Sequence, residues 1–217
     1  MTICTCPECG YDKLSTLAKT CPVCGVPHPF GNGMKMGGSG ARSAPIDRVE
    51  RLMLGHANGE PLSWLVIDAS PEEGIALILS ERVIAKHEYA HADLAWQESE
   101  LRTWMIEDFA YGFLSSEEQA IVVGEPFVLT AHQADLLGSD DARKAWPTAA
   151  LAAEGDPSSG DGAVPYWLCT KGTDCGDIQI ITSQGRIYAH GLPPDNEEVG
   201  VRPAMWIRLA DALENDS

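Results

Sequence analysis

One five-residue motif occurs twice near the start of this 217-residue chain and constrains what that end can become. Cys6-Pro7-Glu8-Cys9-Gly10 and Cys21-Pro22-Val23-Cys24-Gly25 both read C-P-x-C-G, with eleven residues between them. Two cysteines separated by two residues reach one metal from a single tight turn, and the glycine that follows permits the backbone such a turn needs. Zinc takes four thiolates in a tetrahedron, so Cys6, Cys9, Cys21 and Cys24 read as the ligands of one structural Zn2+. Residues 1–29 are too few to bury a core of their own, so metal binding supplies their folding energy. Four protein ligands close the shell and leave no open position for catalysis. Cys4 and His28 are spare donors nearby. A thioredoxin-like redox pair would need one C-x-x-C in a βαβ setting, and the sequence has none.

The chain divides at residue 45. Residues 30–45 form a flexible linker, in which Gly31 to Pro45 holds five glycines, two serines and no packable periodicity. Residues 46–213 are the body, and the last few residues read as frayed. Charge splits along the same seam. Residues 1–48 carry five basic and three acidic residues, a net +2, and the remaining ten basic and 29 acidic residues leave −19. The whole chain stands at −17, which disfavours a nucleic-acid phosphate backbone or an anionic lipid surface as partner. Solubility by self-repulsion is the plainest reading of such a charge. No run approaches the roughly 18 apolar residues of a membrane span, and no signal peptide is visible. Five of the seven cysteines fall in the first 24 residues, which is not a disulfide framework, so a reducing, cytoplasmic setting is expected. The head is similar to the short zinc ribbons that begin many bacterial proteins, where they serve as interaction modules more often than as enzymes.

The body reads as mixed and strand-rich, an α+β domain. Residues 62–68 and 74–80 are strands joined through a Pro-Glu-Glu-Gly turn. Residues 99–113 have helical spacing, with Leu101, Trp104, Met105 and Phe109 on one face and Ser99 as N-cap. Ser115 and Glu118 are spaced as a capping box for a helix running on through Ala120, Ile121 and Val122. A strand at 127–129, a helical turn at 132–137, a long polar loop over 140–164 with one turn of helix, and strands at 166–168, 178–181, 186–188 and 201–209 complete the reading.

Several of these segments carry a pattern. Trp96, Ser99-Glu100-Leu101-Arg102-Thr103-Trp104, Phe109, Phe113 and Glu118 come first. Tyr166-Trp167-Leu168 and Gly200-Val201-Arg202-Pro203-Ala204-Met205-Trp206-Ile207 follow in order. The series resembles a bacterial domain family of unknown function with the motifs W-x-x-S-x-L-R-x-W-L-N…F, Y-W-L-R and G-V-R-P-A, over nearly the whole body. The resemblance implies a C-type-lectin-like fold, like that of formylglycine-generating enzymes. In that fold the first and last strands pair, which would set residues 64–67 beside 203–207, and long irregular loops present the ligand surface. The chain departs from the pattern at two polar positions, with Ile106 in place of Asn and Cys169 in place of Arg.

His87-Glu88-Tyr89-Ala90-His91 is H-E-x-x-H. On a helix, His87 and His91 would share a face and hold one zinc, with Glu88 as general base. Glu98, Glu100 and Glu107 are available as a third ligand, but none lies in a recognised pattern. Read as helix, the segment spans 80–90; otherwise it is an exposed connection with solvated histidines. Cys169 and Cys175 could pair or bind copper, and thiols that behave as small buried hydrophobes are the plainer expectation. Arg102 and Arg202 lie among core aromatics and must be paired; a salt bridge to a buried carboxylate accounts for each as readily as ligand contact. Trp64, Trp96, Trp104, Trp167 and Trp206 are expected in the core.

No complete catalytic set and no organic-cofactor motif is present. The sequence therefore points to a non-enzymatic binding protein. A zinc ribbon is tethered to an acidic body whose 140–165 and 182–200 loops face a protein or small ligand. The alternatives are a zinc hydrolase using His87, Glu88 and His91, and an oxidase using Cys169 and Cys175.

Overall fold

In a computed structural model the described residues are 51–70, 73–154 and 162–208, together with the backbone of two short paired strands, β1 (Ile3–Cys4) and β2 (Leu14–Ser15). The antiparallel register sets Ile3 opposite Ser15 and Cys4 opposite Leu14. The four expected zinc ligands, His28, and the 30–45 linker lie outside the described residues.

The first body hairpin arises from a turn signal that the hydrophobic pattern obscures. β3 (Arg51–Ala57) and β4 (Glu60–Ser70) are joined by Asn58-Gly59 alone, with Ala57 opposite Glu60. Both turn residues have positive φ, 52° and 84°, as a type I′ turn requires. β5 (Ile75–Ser80) pairs back onto β4 as expected. Every residue of β5 is buried, because it has strand neighbours on both sides and side chains packed on both faces. The sheet runs β3-β4-β5-β12-β7, antiparallel throughout, with β7 at Val122–Phe127 and β12 at Ala204–Arg208. The expected pairing of residues 64–67 with 203–207 is therefore corrected: β5 lies between those strands and pairs with both.

The second sheet has the order β10-β9-β8-β11-β6. Its strands are β6 (Ala85–Lys86), β8 (Tyr166–Lys171), β9 (Ile178–Ile181), β10 (Ile187–Leu192) and β11 (Gly200–Val201). Only the β8–β11 pair is parallel. The single terminal strand expected over 201–209 is in fact two: β11 belongs to this sheet, β12 to the other, and Arg202-Pro203 is the crossing. Proline lacks the N–H that a ladder needs, so the break falls there.

Few helices cover the sheets. α1 (Glu100–Trp104) opens on Ser99, whose side chain accepts from the Arg102 amide, then widens to a π-helical turn over Met105–Phe109 and closes as α2 (Ala110–Phe113). α3 (Ser116–Ile121) carries the expected capping box between Ser115 and Glu118. Val122, expected in that helix, begins β7 instead, and the strand ends at Phe127 rather than starting there. Thr130 and Gln133 form a second capping box on α4 (Ala131–Asp135). In place of the expected long loop with one turn of helix, the described residues hold two short helices, α5 (Asp140–Arg143) and α6 (Ala149–Glu154).

Trp64, Trp96, Trp167 and Trp206 are buried as expected, and Trp104 is half-buried on the same core. Trp64 donates to the Leu54 carbonyl at 2.7 Å, and its ring lies 6.3 Å from that of Phe109. The body is thus a mixed fold of two largely antiparallel sheets. Among the described residues, no helix is long and apolar enough to cross a membrane.

Candidate functional site

A cleft of about 450 Å³ opens where residues 146–152 and Gly162 lie beside the first sheet. One wall is the β3–β4 hairpin: Ala57, Glu60, Pro61, Leu62 and Ser63. Ser80, the last residue of β5, and Arg82 also line it, and Trp146, Pro147, Thr148, Ala149, Ala152 and Gly162 form the second wall. That volume falls within the ordinary range for small-ligand sites.

Local backbone bonding places this wall. Val83 donates to the Trp146 carbonyl at 3.0 Å, and Thr148 donates to the Val83 carbonyl at 2.9 Å, so a short parallel bridge lays Trp146-Pro147-Thr148 against residue 83. The Arg82 guanidinium donates to the Pro147 carbonyl at 3.1 Å. Val164 donates to the Ala145 carbonyl at 2.9 Å, closing the base of the connection. Gly162 has φ +80°, and a Cβ built there would rest 3.6 Å from the Trp146 ring. Trp146 keeps 41% of its surface exposed, unlike the core tryptophans.

Behind the cleft, Arg202 joins both walls. It is 1% exposed and donates through Nε to the Ser80 carbonyl (2.8 Å) and through Nη1 to the Arg143 carbonyl (3.2 Å) and the Tyr166 hydroxyl (3.0 Å). The Tyr166 hydroxyl donates in turn to the Arg143 carbonyl at 2.7 Å. Burial raises the Tyr166 pKa, against an opposing pull from Arg202 and Arg143. The Arg143 side chain reaches the Gly185 carbonyl at 2.9 Å and Asp140 at 2.6 Å. Among the described residues no carboxylate meets Arg202, and Arg102 pairs with Glu125 at 2.5 Å in a partly exposed bridge, so neither arginine meets the expected buried carboxylate.

The H-E-x-x-H segment is not helical. Residues 80–90 form bends, a bridge at Val83 and the short strand Ala85–Lys86 paired to β11, with no helix, so the premise of one shared helical face is corrected. His87 Nδ1 lies 2.6 Å from the Glu88 carbonyl, and its ring packs 5.6 Å from Trp104. His91 instead meets the Glu88 carboxylate at 2.8 Å, and its amide donates to Glu100. Glu88 is thus engaged by His91 rather than poised between two metal-bound imidazoles. No three His, Cys, Asp or Glu side chains among the described residues are grouped to hold a metal. Tyr89, between these residues, is fully buried against Trp96 and Trp167. Burial first, then the neighbouring Cys169, raises its pKa well above the usual phenol value.

Cys169 is buried and Cys175 exposed, neither in a disulfide. Of the loops expected to present a ligand surface, 140–165 builds the cleft and 182–200 lines none of it. Reasoning from sequence passed over Glu60, Arg82 and Trp146. The available signal was Trp146 itself, a large aromatic in an otherwise small-residue, polar stretch. No known family, curated protein or solved structure matches the chain.

Proposed function

We propose that the chain is a non-enzymatic binding protein: a structural zinc ribbon at residues 1–29, tethered through 30–45 to an acidic, C-type-lectin-like body that takes a ligand. The carrying observation is the cleft, built from an irregular connection fixed across a sheet and lined by a half-exposed indole. A rigid sheet with a loop-built, mainly apolar concavity is how binding sites are usually made. The repeated C-P-x-C-G supports the ribbon. The non-helical course of residues 80–90 favours binding over the hydrolase, which needs His87 and His91 one helical turn apart. The cytoplasmic setting remains part of the proposal.

The test counts zinc in the purified full chain. One zinc per chain, lost when Cys6→Ser and Cys24→Ser are combined and retained in His91→Ala, is the expected result. A second zinc that disappears in His91→Ala would replace this reading with the hydrolase.

A further inference from the structure

The cleft holds two opposite charges that do not meet. Glu60 and Arg82 both line it, yet among the described residues neither makes an ion pair. Their separation follows from the sheet. Glu60 sits at the hairpin tip, opposite Ala57. Ser63 is three residues along the same strand, about 10 Å away at the usual rise. Arg82 belongs to the Ser63 end, since Glu81 donates to the Ser63 carbonyl at 2.8 Å. Arg82 is steadied by one bond, to the Pro147 carbonyl, which leaves most of its donors open. Glu81, the nearest carboxylate in sequence, is already held by Arg51 at 3.0 Å. Leu62 lies between Glu60 and Ser63 on the strand, and Ala57, Ala149, Ala152 and Trp146 add apolar surface to the same cleft.

We infer that the cleft binds a small zwitterion whose ammonium and carboxylate are separated by an apolar chain of several carbons. This inference rests on the binding reading above. The ammonium faces Glu60, at the hairpin tip. The carboxylate faces Arg82, whose forked donors suit it. The apolar chain covers Leu62, Ala149 and Ala152. A ligand of either single charge would leave one of the two groups covered and unpaired, which costs affinity.

The test titrates the full-length protein with 6-aminohexanoate, hexylammonium, hexanoate and 1-hexanol, following the Trp146 indole N–H by NMR. The expected result is that 6-aminohexanoate binds at least tenfold more tightly than any of the other three. Glu60→Gln then brings it level with hexanoate, and Arg82→Gln, which keeps a donor for Pro147, brings it level with hexylammonium. Equal affinity for 1-hexanol and 6-aminohexanoate would overturn the zwitterion while leaving a ligand cleft. Hexylammonium or hexanoate binding as tightly as 6-aminohexanoate would overturn it in favour of a single-charge ligand. If none of the four moves the Trp146 signal, the cleft is not a small-ligand site and the binding reading loses its carrying observation as well.

Discussion

Two arginines, one hundred residues apart, solve the same problem by different means. Arg202, at the crossing between the sheets, is buried and meets only neutral acceptors: the Ser80 and Arg143 carbonyls and the Tyr166 hydroxyl, with its guanidinium 5.2 Å from the Tyr166 ring centroid. Arg102, on α1, is half-buried and meets the carboxylate of Glu125. The difference lies in what the backbone offers. Ser80 ends β5 and Arg143 ends α5, so each presents a carbonyl where a ladder or helix stops. A guanidinium has five donors in a fixed fork and can gather several such carbonyls at once. Along α1 the carbonyls are taken within the helix, and only that of Gln97, at 3.4 Å, reaches Arg102. Where loose carbonyls converge, a buried cation needs no partner charge; where they do not, it does.

The largest effect should follow removal of Arg202. Arg202→Met keeps the length of the side chain but removes three buried hydrogen bonds and leaves the Ser80 carbonyl without the guanidinium, which should cost about 3 kcal/mol. Urea denaturation of the full chain measures it. Arg202→Lys should recover little, since one ammonium cannot serve the same spread of acceptors. The loss should be nearly insensitive to salt, because no ion pair is broken. A cost below about 1 kcal/mol would mean that the carbonyls find other donors, and the crossing would not depend on the guanidinium.

Glu125→Gln should cost less, about 1 kcal/mol, as partly exposed ion pairs do. Its penalty should shrink as salt is raised, since both partners reach solvent. If the Glu125 loss is salt-independent, or the Arg202 loss is not, the contrast between a neutral and a charged solution fails.

This contrast was only half visible in the chain. Both arginines stood among aromatics, so burial and the need for pairing could be read from sequence. The kind of partner could not, because Ser80, Arg143 and Tyr166 come from three distant segments. Helix starts were more legible: the caps at Ser99 and Ser115 depend on neighbours within three residues, and both are formed. β5 was readable as an apolar run, but its place between β4 and β12 was not, since pairing order is set by long-range packing. β3 was missed although Asn58-Gly59 announces its turn, because Arg51, Met53 and His56 leave its outer face exposed and its apolar pattern weak. The H-E-x-x-H segment misled through spacing alone: Tyr89 drives its conformation by burying between two tryptophans. The cleft was least legible, since Glu60 and Arg82 are placed by the pairing of β4 with β5 and Trp146 by the bridge between Val83 and Pro147, contacts between distant segments.

The smallest predicted effect extends the comparison to pH. The helix side of the molecule uses a second charge at Glu118. Its carboxylate accepts from the Gly55 amide and the Ser115 amide, both at 2.7 Å, and so ties the edge strand β3 to the start of α3. Gly55 permits this approach: its φ is +75°, and a Cβ would lie 2.5 Å from the Phe113 carbonyl oxygen. Desolvation alone would raise the Glu118 pKa, but the bonds from Gly55 and Ser115, with His56 nearby, outweigh it and the net shift is downward from 4.5. A carboxylate with a lowered folded pKa contributes stability that is fully present above its unfolded value and is lost as pH falls through its folded value. Stability should therefore fall below pH 4.5 in part through Glu118. In Glu118→Gln, which keeps an acceptor but not the charge, the curve should be flatter there, with a cost at neutral pH of about 0.5 kcal/mol because the carboxylate is well solvated. The crossing at Arg202 has no carboxylate to protonate, and its titratable neighbour Tyr166 is shifted upward. In the same acid range, the penalty of Arg202→Met should stay constant while that of Glu118→Gln vanishes. Denaturant midpoints for both variants from pH 6 to pH 3 measure this, and parallel curves would show that the two regions do not differ as their partners imply.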